Sequence, residues 1–237
     1  MPRSKRADEA GGIYHALNRG NARREIFHKD ADYEAFLRTL DEGLGRYPVQ
    51  LFSFCLMPNH WHLVLRPQKD GAMGRLLGWV TATHTLRDHA HNHTAGTGHL
   101  YQGSFKSFPV QDDPHFFCLS RYVERNAKSA GLCRRAEDWK WGSLHRWTAK
   151  VDRDPKLLST WPMRRPPGWT EHVNRPLTKR ELEGIDLSIR RGRPYGEEEW
   201  VEEVCERNGP WWTVRPIGRP PKRPQTRTQP RTQPEPK

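Results

Sequence analysis

The stretch Met57-Pro58-Asn59-His60-Trp61-His62-Leu63-Val64-Leu65 decides how this chain is to be read. Pro58-Asn59 has turn composition, and the β-branched and aromatic run after it has strand composition. Side chains alternate across a strand, so His60, His62 and Val64 share one face while Trp61, Leu63 and Leu65 share the other. The tryptophan-leucine face is the one to bury. Two imidazoles then stand side by side on the opposite face, spaced to grip one metal ion.

Working outward, Pro48 opens a strand that runs through Leu56 and meets the histidine strand as a hairpin. Ile13 to Asn18 reads as an earlier strand, closed by the loop composition Arg19-Gly20-Asn21, with Arg19, Arg23 and Arg24 crowding the loop. Asp30 is placed to cap a helix whose apolar positions Tyr33, Phe36, Leu37, Leu40 and Leu44 follow helical spacing. A second helix is expected from about Gly71 to His89, burying Met73, Leu76, Leu77 and Val80. A polar loop, Asn92 to Gly98, leads to a strand over Leu100 to Val110. Asp112-Asp113-Pro114 is a helix start, and Gly131 suits the C-terminal cap of a helix ending near Lys128. Strand, helix, hairpin, helix, strand, helix describes an α+β domain with a mostly antiparallel sheet, expected over residues 1–150. Residues 151–214 are expected to form a helical extension, with a capping box at Thr178 and Glu181 and a helix over Glu197 to Arg207 that turns Trp200 and Val204 inward. Residues 215–237, rich in Pro, Arg, Thr and Gln, cannot bury a core and are expected to be a disordered basic tail.

The 237 residues carry a formal net charge of +12, and residues 215–237 supply half of it with seven Lys/Arg against one Glu. Such a balance suits a polyanionic partner, because each cation that neutralises a phosphate releases counterions. Cys55, Cys118, Cys133 and Cys205 are scattered without a Cys-x-x-Cys pair, which argues against a zinc finger and a disulfide framework. No apolar stretch is long enough to span a bilayer, and the N-terminus has no signal-like hydrophobic run, so a cytoplasmic protein without membrane attachment is expected.

On the helix after Pro114, His115, Leu119, Tyr122 and Asn126 form one stripe. If Tyr122 and Asn126 face the histidine strand, two imidazoles and an amide oxygen can hold a divalent cation beside a phenol. A phenol with its ordinary pKa of about 10 is a poor nucleophile without help. A cation that polarises a phosphoryl oxygen supplies that help.

The ordered segments Asn18-Arg19-Gly20-Asn21, Met57-Pro58-Asn59-His60-Trp61-His62, Tyr101-Gln102-Gly103-Ser104-Phe105-Lys106, Tyr122-Val123-Glu124-Arg125-Asn126 and Arg191-Gly192-Arg193-Pro194-Tyr195-Gly196 resemble the single-tyrosine HUH transposases (His-hydrophobic-His). Within them, the likeness is closest to the bacterial repeat-palindrome-associated tyrosine transposases. The resemblance implies a ferredoxin-like α+β domain, Mg2+ or Mn2+, and cleavage and rejoining of single-stranded or hairpin DNA at palindromic repeats through a 5′-phosphotyrosine. Carried over by position, His60 and His62 are metal ligands and Tyr122 is the nucleophile. Asn126 falls where relatives place a polar metal ligand, often glutamine. Arg19, Asn21, Arg23, Arg24, Lys106 and Arg219 are the expected DNA contacts. One departure stands out: Ala127 and Ser129 replace a proline and an arginine of the family pattern, so the helix is expected to continue past Asn126.

Other assignments compete with these. Tyr101 is the rival nucleophile, but it begins a strand and has no ligand partner one turn away. His84, His89, His91, His93 and His99 are expected to be mostly solvated rather than a metal cluster. Trp139, Trp141 and Trp147 are expected to pack a C-terminal helix, whereas Trp211 and Trp212 suit either base stacking or a hydrophobic lid. Gly218-Arg219-Pro220 resembles the core of a minor-groove hook. The alternative functions are a non-cleaving binder of structured DNA or RNA on the same fold, and a hydrolase that uses water in place of tyrosine. Monomer and homodimer both remain open.

Overall fold

A computed structural model of the chain describes residues 7–149 except 95, 97 and 113, residues 157–208, and residues 213 and 214. The expected basic tail, with Arg219 and the hook-like segment, lies outside the described residues, as do Trp211 and Trp212.

The elements follow the order β1 (Ile13–Arg19), α1 (Asp30–Arg46), β2 (Val49–Met57), β3 (His60–Pro67), α2 (Ala72–Asn92), β4 (Lys106–Val110), α3 (Pro114–Ser129), α4 (Ser143–Ala149), α5 (Trp169–Asn174), α6 (Lys179–Arg191) and α7 (Glu198–Asn208). The strands form one sheet in the order β2-β3-β1-β4, and every neighbouring pair is antiparallel. Two βαβ halves interleaved in this way make a ferredoxin-like α+β sheet, the fold that the family resemblance implied.

Alternation along β3 splits the interior in two. Trp61, Leu63 and Leu65 pack with Tyr14 and Ala16 of β1 under α1 and α2. Val64 packs on the other side with Ile13, Phe108 and Val110, beneath Phe116, Leu119 and Val123 of α3. Both faces are therefore covered, the histidine side by α3. A one-residue slip of β3 would exchange Trp61 and His62 between the layers, forfeiting about 1.5–3 kcal/mol for each large apolar side chain removed from its core.

Several local expectations are corrected. The N-cap position of α1 is Lys29, and Asp30 is already helical; the start is instead sealed by Asp32, whose carboxylate accepts from the His28 and Lys29 N–H groups. The strand expected over residues 100–110 begins only at Lys106. Tyr101 turns inward ahead of it, where its hydroxyl accepts from Trp61 Nε1 at 3.2 Å and pairs with His84 Nδ1 at 2.7 Å. His84 is accordingly buried rather than solvated. Trp139 and Trp141 pack against Tyr33 of α1, not against a C-terminal helix, while Trp147 is covered by the Arg165 guanidinium at 4.2 Å. In α7 the inward side is Val201, Val204 and Cys205, with Trp200 only half-buried.

Residues after α3 brace it. Trp161 donates to the Phe52 carbonyl, and Trp169 donates to the buried Glu124 carboxylate, which also accepts from Ser143. Arg121 reaches the Pro176 carbonyl, and Arg125 and Lys128 reach the Asn174 carbonyl at the end of α5. Cations at the exposed carbonyls of a helix C-terminus are favourable. The capping box of α6 forms as expected, with Thr178 Oγ1 accepting from Glu181 N. Both sheet edges are also engaged. Along β2, Leu56 N donates to Trp141 O and Ser159 N donates to Leu51 O; along β4, Tyr195 exchanges backbone bonds with Pro109 and Gln111.

Gly20 closes β1 against the Pro58-Asn59 turn, and a Cβ built there would lie 2.2 Å from the Arg24 carbonyl oxygen. Gly45, exposed on α1, has nothing within 4 Å of its would-be Cβ. Gly20→Ala is expected to destabilise the fold by about 1–3 kcal/mol through overpacking, and Gly45→Ala to stabilise it by up to about 1 kcal/mol through helix propensity. Denaturant unfolding of the two variants checks both signs.

Candidate active site on the covered sheet face

Cross-strand register puts Arg19 opposite His60 and Leu17 opposite His62. Cross-strand partners share a face, so Arg19, Leu17 and His15 of β1 point the same way as the two histidines. His15 sits opposite Val64 on one side and Phe108 of β4 on the other.

Across this face runs α3. Its stripe Leu119, Tyr122, Asn126 does turn toward the sheet. The Tyr122 ring meets the His62 ring edge to face with centroids 5.8 Å apart, and the His60 and His62 rings lie 4.9 Å apart at 82°. Asn126 stands close to both groups, and its side chain favours the charged form of His60 and of Tyr122. The helix holds this pose because it continues to Ser129, as expected from Ala127 and Ser129. It ends at Gly131 in the left-handed region, where Gly131 N donates to Lys128 O and Leu132 N to Ala127 O. Such a C-terminal cap satisfies the last carbonyls. His115, the first member of the stripe, sits at the far end beside Tyr195 and Glu197.

The imidazoles are held by their second nitrogens. His60 Nδ1 pairs with Asn59 Oδ1 at 2.5 Å, and His62 Nδ1 pairs with His15 Nε2 at 2.9 Å. Each histidine keeps Nε2 for a further partner. Ring centroids 4.9 Å apart allow two such nitrogens to share one ion at bonds of about 2.1 Å. Among the described residues no cluster of three or more His, Cys, Asp or Glu side chains is placed to bind a metal, so an ion held here would draw its remaining ligands from water and phosphate.

Burial sets the protonation states. It lowers His60 to about 4, with the Arg19 charge adding to the effect and the Asn126 side chain opposing it. It lowers His62 well below the ordinary value, helped by His15, His60 and Arg19. His15, fully enclosed, is lowered to about 3. All three are neutral near pH 7, the form in which imidazole binds metal. Burial also raises Tyr122, and Asp186 on α6 adds to this, while the Asn126 side chain and Arg19 pull the other way.

The expected DNA contacts are distributed around this centre. Arg19 is half-buried beside His60, and Lys106 is exposed on β4 opposite Leu17. Asn21, Arg23 and Arg24 are exposed on a 3-10 turn that is tied to the β2–β3 hairpin, where Asn59 Nδ2 donates to Arg23 O, and to the loop before β4, where Arg24 Nη2 donates to His99 O. Ala22 and Arg23 both adopt left-handed φ values, 52° and 61°, an uncommon arrangement for two non-glycine residues. Tyr101, the rival nucleophile, is enclosed in the opposite layer with Trp61. Sequence reading missed His15. The signal was present, since His15 shares the parity of Arg19 along β1, but it carries meaning only once the β1–β3 register is known.

An imidazole whose folded pKa lies below its unfolded value near 6.5 is protonated preferentially in the unfolded chain. The stability it contributes is full above pH 6.5 and is lost as pH falls toward the folded value. With His15, His60, His62 and His84 all lowered by burial, thermal stability is expected to hold between pH 8 and 7 and to fall between pH 6.5 and 5, above the range of ordinary carboxylates. Differential scanning calorimetry across that interval checks it, and a flat midpoint there contradicts it.

Residues 10–126 match the family of IS200-like transposases. The fold is similar to that of a REP-associated tyrosine transposase solved bound to a REP hairpin, with a TM-score of 0.53 and 14% identity over 76% of this chain and 100% of that one. A Deinococcus radiodurans R1 protein described as a transposase aligns over 52% of this chain and 95% of its own at 14% identity, with a TM-score of 0.36. No curated protein matches the chain. The matched segment, residues 10–126, carries the four-stranded sheet and both His60-His62 and Tyr122, so the likeness to IS200-like transposases lies in the part of the chain that holds the candidate site.

Proposed function

We propose that this protein nicks and rejoins single-stranded or hairpin DNA at palindromic repeats, with Tyr122 as nucleophile and a Mg2+ or Mn2+ ion held by His60, His62 and Asn126. The observation that carries the proposal is the meeting of Tyr122, Asn126 and His60-His62 on one covered sheet face, although about sixty positions separate the two motifs. The REP hairpin bound to the structural relative supports a hairpin substrate.

The donor set fits such an ion. Two neutral imidazoles fixed by Asn59 and His15, with one amide oxygen, leave positions open for water and phosphate. When bound, the ion polarises a phosphoryl oxygen and offsets charge developing in the displacement. The chain's own residues do the rest. Tyr122 Oη attacks phosphorus and gives its proton to solvent, the P–O3′ bond breaks, and the departing 3′-oxygen takes a proton from solvent to become a free 3′-hydroxyl. The 5′-phosphotyrosine conserves the bond energy, so attack by a 3′-hydroxyl reverses the step and rejoins a strand without ATP. The Asn126 side chain eases the ionisation of the phenol, and Arg19 adds positive charge beside it. Exposed Asn21, Arg23, Arg24 and Lys106 hold the phosphate backbone, with Arg219 of the tail assigned the same role.

Asp186 favours a second reading. The negative charge of Asp186, exposed on α6, adds to burial in disfavouring the Tyr122 phenolate, which suits a protein that binds structured DNA or RNA without cutting it.

One experiment separates the readings. Full-length protein is incubated with a labelled palindromic hairpin oligonucleotide and Mn2+, then run under denaturing conditions. A covalent adduct that requires Mn2+ and disappears in Tyr122→Phe is expected. Metal-independent binding with no adduct in the wild type selects the binder, and cleavage that survives Tyr122→Phe selects a water-using hydrolase. Arg23→Gln is expected to weaken hairpin binding across sequences and to reduce the slope of log affinity against log salt by about one, read by fluorescence anisotropy.

A further inference from the structure

We infer that His15 is a positioning residue: it fixes the proton of His62 on Nδ1, so that His62 presents Nε2 as a lone pair to a divalent cation. The inference rests on the metal site proposed above and adds a residue that neither the motif nor the stripe on α3 contains.

His15 is fully buried, and its Nε2 lies 2.9 Å from His62 Nδ1. The ring planes are 24° from parallel with centroids 5.1 Å apart, so the two rings meet edge to edge through these nitrogens rather than face to face. Only one proton can occupy the space between them. If His62 supplies it, His62 Nε2 is bare and can bind a cation, and His15 carries its own proton on Nδ1. If His15 supplies it, a neutral His62 must carry a proton on Nε2 and cannot bind. The pair therefore has a binding-competent tautomer and an incompetent one, and a cation selects the first.

Two further observations favour a role beyond packing. His15 Nδ1 is buried with no hydrogen-bond partner. The surrounding side chains, Ile13, Val64 and Phe108, are apolar, and Phe108 lies 4.8 Å away, centroid to centroid. An apolar residue would fill this position without stranding a polar atom. A neutral acceptor has another merit here. The carboxylates that commonly orient metal-binding histidines would add negative charge close to where a phosphodiester must approach, whereas an imidazole orients His62 without that charge.

The test compares wild type, His15→Phe, which keeps a ring but has no acceptor, and His15→Gln, whose amide oxygen can accept from His62. Mn2+ binding is followed by the electron paramagnetic resonance signal of free Mn2+, and the His62 tautomer by long-range 1H–15N NMR. Thermal melts report folding. Expected are a protonated Nδ1 at His62 in wild type, Mn2+ affinity reduced about 10- to 100-fold in His15→Phe, and substantial recovery in His15→Gln. Unchanged Mn2+ affinity in a folded His15→Phe, equal losses in both variants, or a wild-type His62 protonated on Nε2 with Mn2+ bound overturns the inference alone. A wild-type protein that binds no Mn2+ overturns the metal site and this inference together. If His15→Phe does not fold, the wild-type tautomer and the His15→Gln affinity still decide the matter.

Discussion

A sheet face covered by a helix gives an imidazole no water with which to share a positive charge. That constraint organises the rest of the molecule. Because α3 covers the sheet face that carries them, burial keeps His15, His60 and His62 neutral, the form in which an imidazole can bind a metal. The same cover brings Tyr122 and Asn126 to them. Removing the cover would hydrate the histidines and separate the phenol from them in one movement, so folding and site assembly are one event.

The orientation of α3 is set from behind as much as from the sheet. Its front stripe reaches the histidines, while Arg121, Arg125 and Lys128 on the back hold carbonyls near α5. Glu124 is buried between Ser143 and Trp169. A rotation by one residue, about 100° for a helix, would break these contacts and swing Tyr122 off His62. The residues after α4 therefore fix the helix that bears the phenol.

What could be seen in the sequence was whatever depends on local periodicity. The alternation of His60, Trp61 and His62 and the three- and four-residue steps of α3 are properties of one strand and one helix, and they predicted which side chains would meet. His15 was invisible because its meaning depends on a register between strands nearly fifty residues apart. Tyr101 and His84 were misplaced for a related reason: each is a polar residue buried by the other, a pairing that neither local pattern announces. Trp139 and Trp141 likewise pack on Tyr33, a partner distant in the chain. Local pattern also could not show that the histidine face would be covered, since that takes a third layer.

Tyr195 alongside β4, and Trp141 and Ser159 alongside β2, have a bearing on how copies of this protein can associate. An open strand edge is a template on which a second chain can extend the sheet, and natural β-proteins block such edges. Here the chain blocks its own edges at those positions with three short, irregular pieces drawn from far along the sequence. Joining two copies through a continuous intermolecular sheet would first require peeling those pieces away. A pairing of copies that leaves those pieces in place does not run through these positions of the sheet edges.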